Sequence, residues 1–344
     1  MASPIDIIIF APLAPIFGVV LFWFIQLLFI ESQKYMLSKI RADHESFCRF
    51  TNFIGIFFQT VCHALGYTVT NHGISNFHVS VHYGKVAPKK KKSGVFEWFS
   101  NGFLFLGPFF IPPSLLLICL LFLIHDGFVL FPIEAYTFAE NLIVFGSNLY
   151  QFSSAFFIFL STIDFLHPGH LGFFVLFILL GLGIRPSYIK EKTIRKVDIF
   201  YDLKNIRYKI LHKPLYVLLF LLSAYIFSYL SVLLHLNWYV GIFSIFGWIS
   251  IIAISAILFA HIIILYIDVT DHITGAFRYL TLLIFPITYI LFRVLFYFVP
   301  ISFATMISLI LSIVITIALI VYLLYRVTNT FKFNESMNLR KKFK

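Results

Sequence analysis

Charge is what this sequence has least of. Asp, Glu, Lys and Arg make up 12% of its 344 residues, against about 25% in soluble domains. Water is therefore excluded as the solvent for most of the surface. Cysteine is scarcer still. The three present, Cys48, Cys62 and Cys119, are odd in number, and two lie in apolar segments, which excludes a disulfide framework or a zinc-knuckle spacing. The N-terminus lacks the basic stretch of a signal peptide, and its apolar run from Ile7 to Ile30 is long for a signal core. That run is expected to be a retained membrane anchor. Acidic residues number 15 against 26 Lys and Arg. The basic residues gather between apolar runs, as the positive-inside bias requires, so the positive balance points to no nucleic-acid partner.

What is abundant is apolar. Hydrophobic residues are 60% of the chain, and 45 are Phe. Runs of about 20 apolar residues, enough to cross a bilayer, recur from end to end. The expected fold is an all-α polytopic membrane protein with about eight transmembrane segments, at 7–30, 53–70, 101–124, 149–184, 214–235, 239–266, 279–298 and 301–327. A small strand-like, membrane-dipping segment is expected near 74–84, where Gly73-Ile-Ser-Asn-Phe-His-Val-Ser-Val-His-Tyr-Gly84 alternates apolar and polar residues. Residues 125–148 read as an extramembrane connection. The 149–184 run is too long for one straight span and carries Pro168-Gly169, which predicts a broken helix.

The chain divides into four regions: an N-terminal anchor span and loop over 1–52, a membrane core over 53–184, a basic loop over 185–213, and a C-terminal helical membrane region with a basic tail over 214–344. Lys85 with Lys89 to Lys92, the nine Lys and Arg of 185–213, and the tail from Arg340 all fall on one side if the strand-like segment enters and leaves the membrane with its helix. That side is read as cytoplasmic, and the protein as an integral, multi-pass protein of the plasma membrane. Its partners are the lipid bilayer and a candidate membrane-protein partner.

Few residues could carry chemistry. Gln59 and His63 lie four apart in an apolar helix, on one face. Asp164, His167 and His170 are spaced at three, around the expected break. With His63 they make a candidate metal set of His63, Asp164, His167 and His170, the donors that zinc or iron takes. A carboxylate in a membrane segment marks function by default. Arg293, inside an apolar run, needs a partner or an interface. His72, His78 and His82 read as surface or interface residues, and Asp268, Asp271, His272 and Arg278 as a charged surface loop.

Over about residues 53–184 the chain resembles the intramembrane zinc metalloproteases of the site-two protease family. Those proteins have His-Glu-x-x-His on a membrane helix, where the histidines hold zinc and the glutamate is the base. Here Gln59-Thr60-Val61-Cys62-His63 occupies that frame, succeeded by Ala64-Leu65-Gly66. The strand-like 74–84 is similar to the family's membrane-dipping segment, Phe105-Leu106-Gly107-Pro108 to the opening of its next span, and Asp164 to its third ligand. The Asn-x-x-Pro-x-x-Asp signature around that ligand is absent. Gln59 replaces a histidine and Thr60 replaces the glutamate, so the resemblance implies a metalloprotease-like core without its general base. Three functions stay open: a core that has lost proteolysis and serves as scaffold, regulator or binding partner; an active zinc enzyme using His63, Asp164, His167 and His170; and a transporter or channel built on broken helices.

Overall fold

A computed structural model describes residues 3–80, 84–90, 94–124, 127–128, 130, 135–184, 214–236, 238–273, 275, 277–299 and 301–342. The side chains of 95–106, 108 and 327–342 are not among those described. His82, Lys91, Lys92 and the basic loop 185–213 lie outside the described residues.

Helices dominate. A π-helical turn, Asp6–Phe10, leads into α1 (Leu13–Ile40), then α2 (Glu45–Val69), strands β1 (Ile74–Val79) and β2 (Gly84–Pro88), α3 (Val95–Leu123), α4 (Phe138–Ser161), α5 (Pro168–Gly183), α6 (Pro214–Leu233), α7 (Trp238–Asp271), α8 (Phe277–Phe298) and α9 (Ala304–Lys342). Among the described residues, six helices are long and apolar enough to cross a membrane: α1, α4, α6, α7, α8 and the Ala304–Arg326 part of α9. Two shorter apolar helices, Phe109–Leu123 and Pro168–Gly183, accompany them. The chain is thus a multi-pass membrane protein.

The boundaries have physical causes. α1 runs on to Ile40, through the mixed-charge stretch, because Glu31 and Lys34 neutralise each other at 2.6 Å one turn apart. The stretch 125–148, expected as a connection, is helical from Phe138 onward. Thr137 and Glu140 form a capping box there. Thr137 Oγ1 accepts the Glu140 N–H at 3.2 Å, and the Glu140 carboxylate accepts the N–H groups of Thr137 at 3.0 Å and Tyr136 at 2.9 Å. The expected break near Pro168 is present, since α4 stops at Ser161 and α5 starts at Pro168, where proline suits a first helical position.

The strand-like stretch is a two-stranded antiparallel hairpin with Phe77 opposite Val86, His78 opposite Lys85 and Val79 opposite Gly84. It reaches Pro88, past the expected limit of 84. Asn71 and Gly73, at φ 55° and 66°, turn the chain out of α2 into the first strand.

Two compact units divide the chain, one of residues 1–156 with 172–261, the other of 157–171 with 262–344. The first has a core of Leu27, Ile30, Phe109, Ile184, Ala253 and Ile257. Polar side chains pin it: Gln26 Nε2 donates to the Phe109 carbonyl at 3.2 Å, and Gln33 Nε2 to that of Gly181 at 3.0 Å. Asn148 Nδ2 donates to Ser244 Oγ at 3.0 Å, while Trp248 Nε1 donates to the Asn148 carbonyl at 3.1 Å. Such bonds hold helices together where lipid supplies no hydrophobic drive. The second unit contains the α8–α9 hairpin and the 162–167 break.

Candidate functional site

In the first unit, α2 presents its chemistry between the hairpin and α3. Thr60 is 4% exposed. Its hydroxyl donates to the Ile56 carbonyl at 2.6 Å, one turn back, which leaves no proton to give elsewhere. Gly84 of β2 lies directly over it. A Cβ at position 84 would stand 2.0 Å from Thr60 Oγ1 and 3.1 Å from Ile56 Cγ2. Two residues on, Cys62 is fully buried against Gly107 of α3, where a Cβ would stand 2.8 Å from Cys62 Cβ. Gly183 closes a third side, since a Cβ there would meet Ile54 Cγ2 at 2.3 Å. Glycine is used at 84, 107 and 183 for close approach. Gln59 and His63 share a half-buried face of α2, and neither residue is without an interaction.

His72 departs from its expected surface role. It is 2% exposed at the exit of α2, with its ring against Tyr67. Thr70 Oγ1 gives its proton to the Gly66 carbonyl at 2.6 Å and so accepts from His72 Nδ1, also at 2.6 Å. This fixes the Nδ1–H tautomer and joins the helix end to the hairpin, where the His72 carbonyl takes the Lys90 N–H at 3.0 Å.

In the second unit, the break 162–167 is held by a polar cluster. Asp164 Oδ2 lies 2.8 Å from Arg293 Nη2, with the two side chains 25% and 22% exposed. Asp164 Oδ1 accepts the Tyr289 hydroxyl at 3.2 Å and the Leu166 N–H at 3.0 Å. Arg293 Nη1 donates to Thr305 Oγ1 at 3.1 Å. Arg293 thus has the partner its apolar setting demands. Tyr289, one turn before it on α8, completes the cluster and was not singled out by sequence, although its i,i+4 spacing to Arg293 places both on one face.

The two histidines stand together, with ring centroids 4.6 Å apart, but both face backbone. His170 Nδ1 accepts the Asp164 N–H at 3.1 Å, and His167 Nδ1 accepts the His170 N–H at 3.4 Å. Of the candidate metal set, Asp164, His167 and His170 belong to the second unit and His63 to the first. Among the described residues, no group of three or more His, Cys, Asp or Glu is arranged to hold a metal ion. The physical reason in the second unit is the guanidinium, which takes the carboxylate that a cation would need. In the same unit Asp271 is paired with Arg278, and His272 Nδ1 donates to the Asp268 carbonyl at 3.0 Å.

What the α2 face can do chemically is narrow. It offers one imidazole and one amide, beside a threonine whose hydroxyl is committed. Comparison with protein-family models, with curated proteins and with solved structures finds no match to this chain.

Proposed function

We propose that this is a multi-pass membrane protein whose α2, hairpin and α3 form a site-two-protease-like core without proteolytic activity, and that it serves as a scaffold, regulator or binding partner for another membrane protein. The observation that carries this reading is Thr60. Its buried hydroxyl is bonded to the Ile56 carbonyl and covered by Gly84, so position 60 offers no base and no free proton. A zinc-bound water needs such a base to become a nucleophile. The order α2, hairpin, α3, with Gly107 packed on Cys62, supports the architectural half of the reading.

In this reading α2 and α3 add two crossings to the six apolar helices, and the basic loops face the cytoplasm of a plasma membrane. Zinc analysis and a peptide-cleavage assay on the purified protein test it. The expected result is no stoichiometric zinc and no cleavage. Stoichiometric zinc together with cleavage that His63→Ala abolishes overturns it.

A second reading, transport, is favoured by the Asp164–Arg293 pair, which sits at a helix break as substrate sites of transporters do. Substrate or ion flux into proteoliposomes that Asp164→Asn eliminates would establish it in place of the first.

A further inference from the structure

We infer that the first unit binds the hydroxyl head of a neutral lipid in a cavity between the π-helical turn, the start of α4, the end of α6 and the start of α7. The cavity measures about 60 Å³ and opens to the outside, several times the space that one water needs. Asn141, Ser228 and His235 supply polar walls, and Ala11, Val232 and Val240 apolar ones.

Two of its polar groups have work to do and no protein partner among the described residues. Ser228 is 8% exposed, yet its hydroxyl makes no hydrogen bond there. Asn141 is 6% exposed. Its Nδ2 is spent on the Thr137 carbonyl at 2.9 Å and that of Ala135 at 3.4 Å, while its Oδ1 accepts nothing from the described residues. Both residues are largely buried, and both line the cavity, so the free hydroxyl and the free amide oxygen are open to an occupant that can bond to them. It must accept from or donate to Ser228 and donate to Asn141, which a hydroxyl does with one atom. The neighbouring hydroxyls are not open to it. Tyr239 donates to the Pro12 carbonyl at 2.5 Å, and Ser231 donates to the Leu236 carbonyl.

The lining also excludes other heads. Among the described residues no Asp, Glu, Lys or Arg lines the cavity, so an ammonium head would enter without a counter-charge and a phosphate head would find no fixed cation beside the His235 imidazole. Beyond the head, the rim suits apolar tails. Leu233, Leu234 and Trp238, next in sequence to the lining residues Val232, His235 and Tyr239, are more than half exposed, and a Trp among apolar residues at helix ends suits the membrane interface. A hydroxyl head with apolar tails, such as a diacylglycerol, meets all of these conditions.

Equilibrium dialysis of the full chain in detergent micelles tests this, with labelled dioctanoylglycerol as the probe. Dioctanoylphosphatidylcholine carries the same tails on a charged head, and free glycerol the hydroxyls without tails. Saturable binding of the diacylglycerol is expected, with neither control competing at equal concentration. Ser228→Val fills the cavity and removes the hydroxyl, and Val232→Phe blocks the mouth from an exposed position that leaves the core intact. Each is expected to weaken binding by about tenfold or more, from the lost hydrogen bonds and apolar contact. Absence of saturable binding means the cavity holds water only and overturns the inference. Equal competition by the phosphatidylcholine, or full binding by both variants, overturns it as well.

Discussion

Gly84 lies so close to Thr60 that a Cβ on the glycine would stand 2.0 Å from the threonine hydroxyl oxygen. This contact seats the hairpin on α2 and covers the Thr60 hydroxyl. Gly84→Ala is expected to destabilise by about 1–3 kcal/mol, the usual range for overpacking a tight site. Thr60→Ala removes the clashing oxygen, so the double variant should lose less than the two single losses combined. Thermal unfolding of the four proteins in one detergent measures the cycle. Additive losses would show that strand and helix do not bear on one another here.

The same contact bears on whether α2 can hold a His-Glu-x-x-His motif at all. Replacing Thr60 by Glu, with Gln59→His to build His-Glu-x-x-His with His63, puts a larger, charged side chain beneath the hairpin. The expected outcome is loss of folded protein or an inert fold, with no cleavage of membrane peptides. Robust cleavage by the double variant, with zinc bound, would contradict the packing described around position 60.

Helical content and most spans were legible because long apolar runs are a strong signal, and the break near Asp164 because proline cannot continue a helix. The start of α4 was legible too, in Thr137-x-x-Glu140, but hydropathy alone hides it, since Glu140 and Asn141 interrupt the apolar pattern. Partner choice was not legible. Asp164 and Arg293 are 129 residues apart, and nothing local in either segment says that the carboxylate turns to the guanidinium rather than to His167 and His170. The burial of His72 is hidden from the sequence for a similar reason. Alternating residues around it suggest a strand surface, while its burial comes from the turn that Asn71 and Gly73 impose.

That capping box supplies a prediction of its own. Thr137→Ala removes the oxygen that takes the Glu140 N–H, and Glu140→Ala frees two further N–H groups at the helix start. Each is expected to cost about 1 kcal/mol. Hydrogen exchange at residues 136–140 should accelerate while exchange in the middle of α4 stays slow. Unchanged exchange at the helix start would mean that the cap does not hold it.

The Asp164–Arg293 pair predicts an asymmetry. Asp164→Asn leaves a guanidinium half-buried without its counter-charge, and Arg293→Met leaves a carboxylate in the same state. Each should cost about 1–3 kcal/mol, the range for hydrogen bonds to charged groups. Removing both is expected to cost less than the sum, because no lone charge remains. Unfolding midpoints of the single and double variants decide this, and strict additivity would show that the pair contributes nothing as a pair.

Pro12 sets up the last prediction. It has no N–H, so the Ile8 carbonyl lacks the donor that an α-helix would place four residues on. The Tyr229 hydroxyl donates to that carbonyl instead, and Tyr225 donates to the next one, of Ile9, at 2.6 Å. Two tyrosines one turn apart on α6 thus hold the N-terminal turn against the helix. Tyr229→Phe should cost about 1 kcal/mol, as a carbonyl loses its bond at a site poor in water. Pro12→Ala restores a backbone donor for Ile8. In that background Tyr229→Phe is expected to cost clearly less, which comparison of unfolding midpoints will show. An equal loss in both backgrounds would mean that the tyrosine hydroxyl does not substitute for the donor that proline removes.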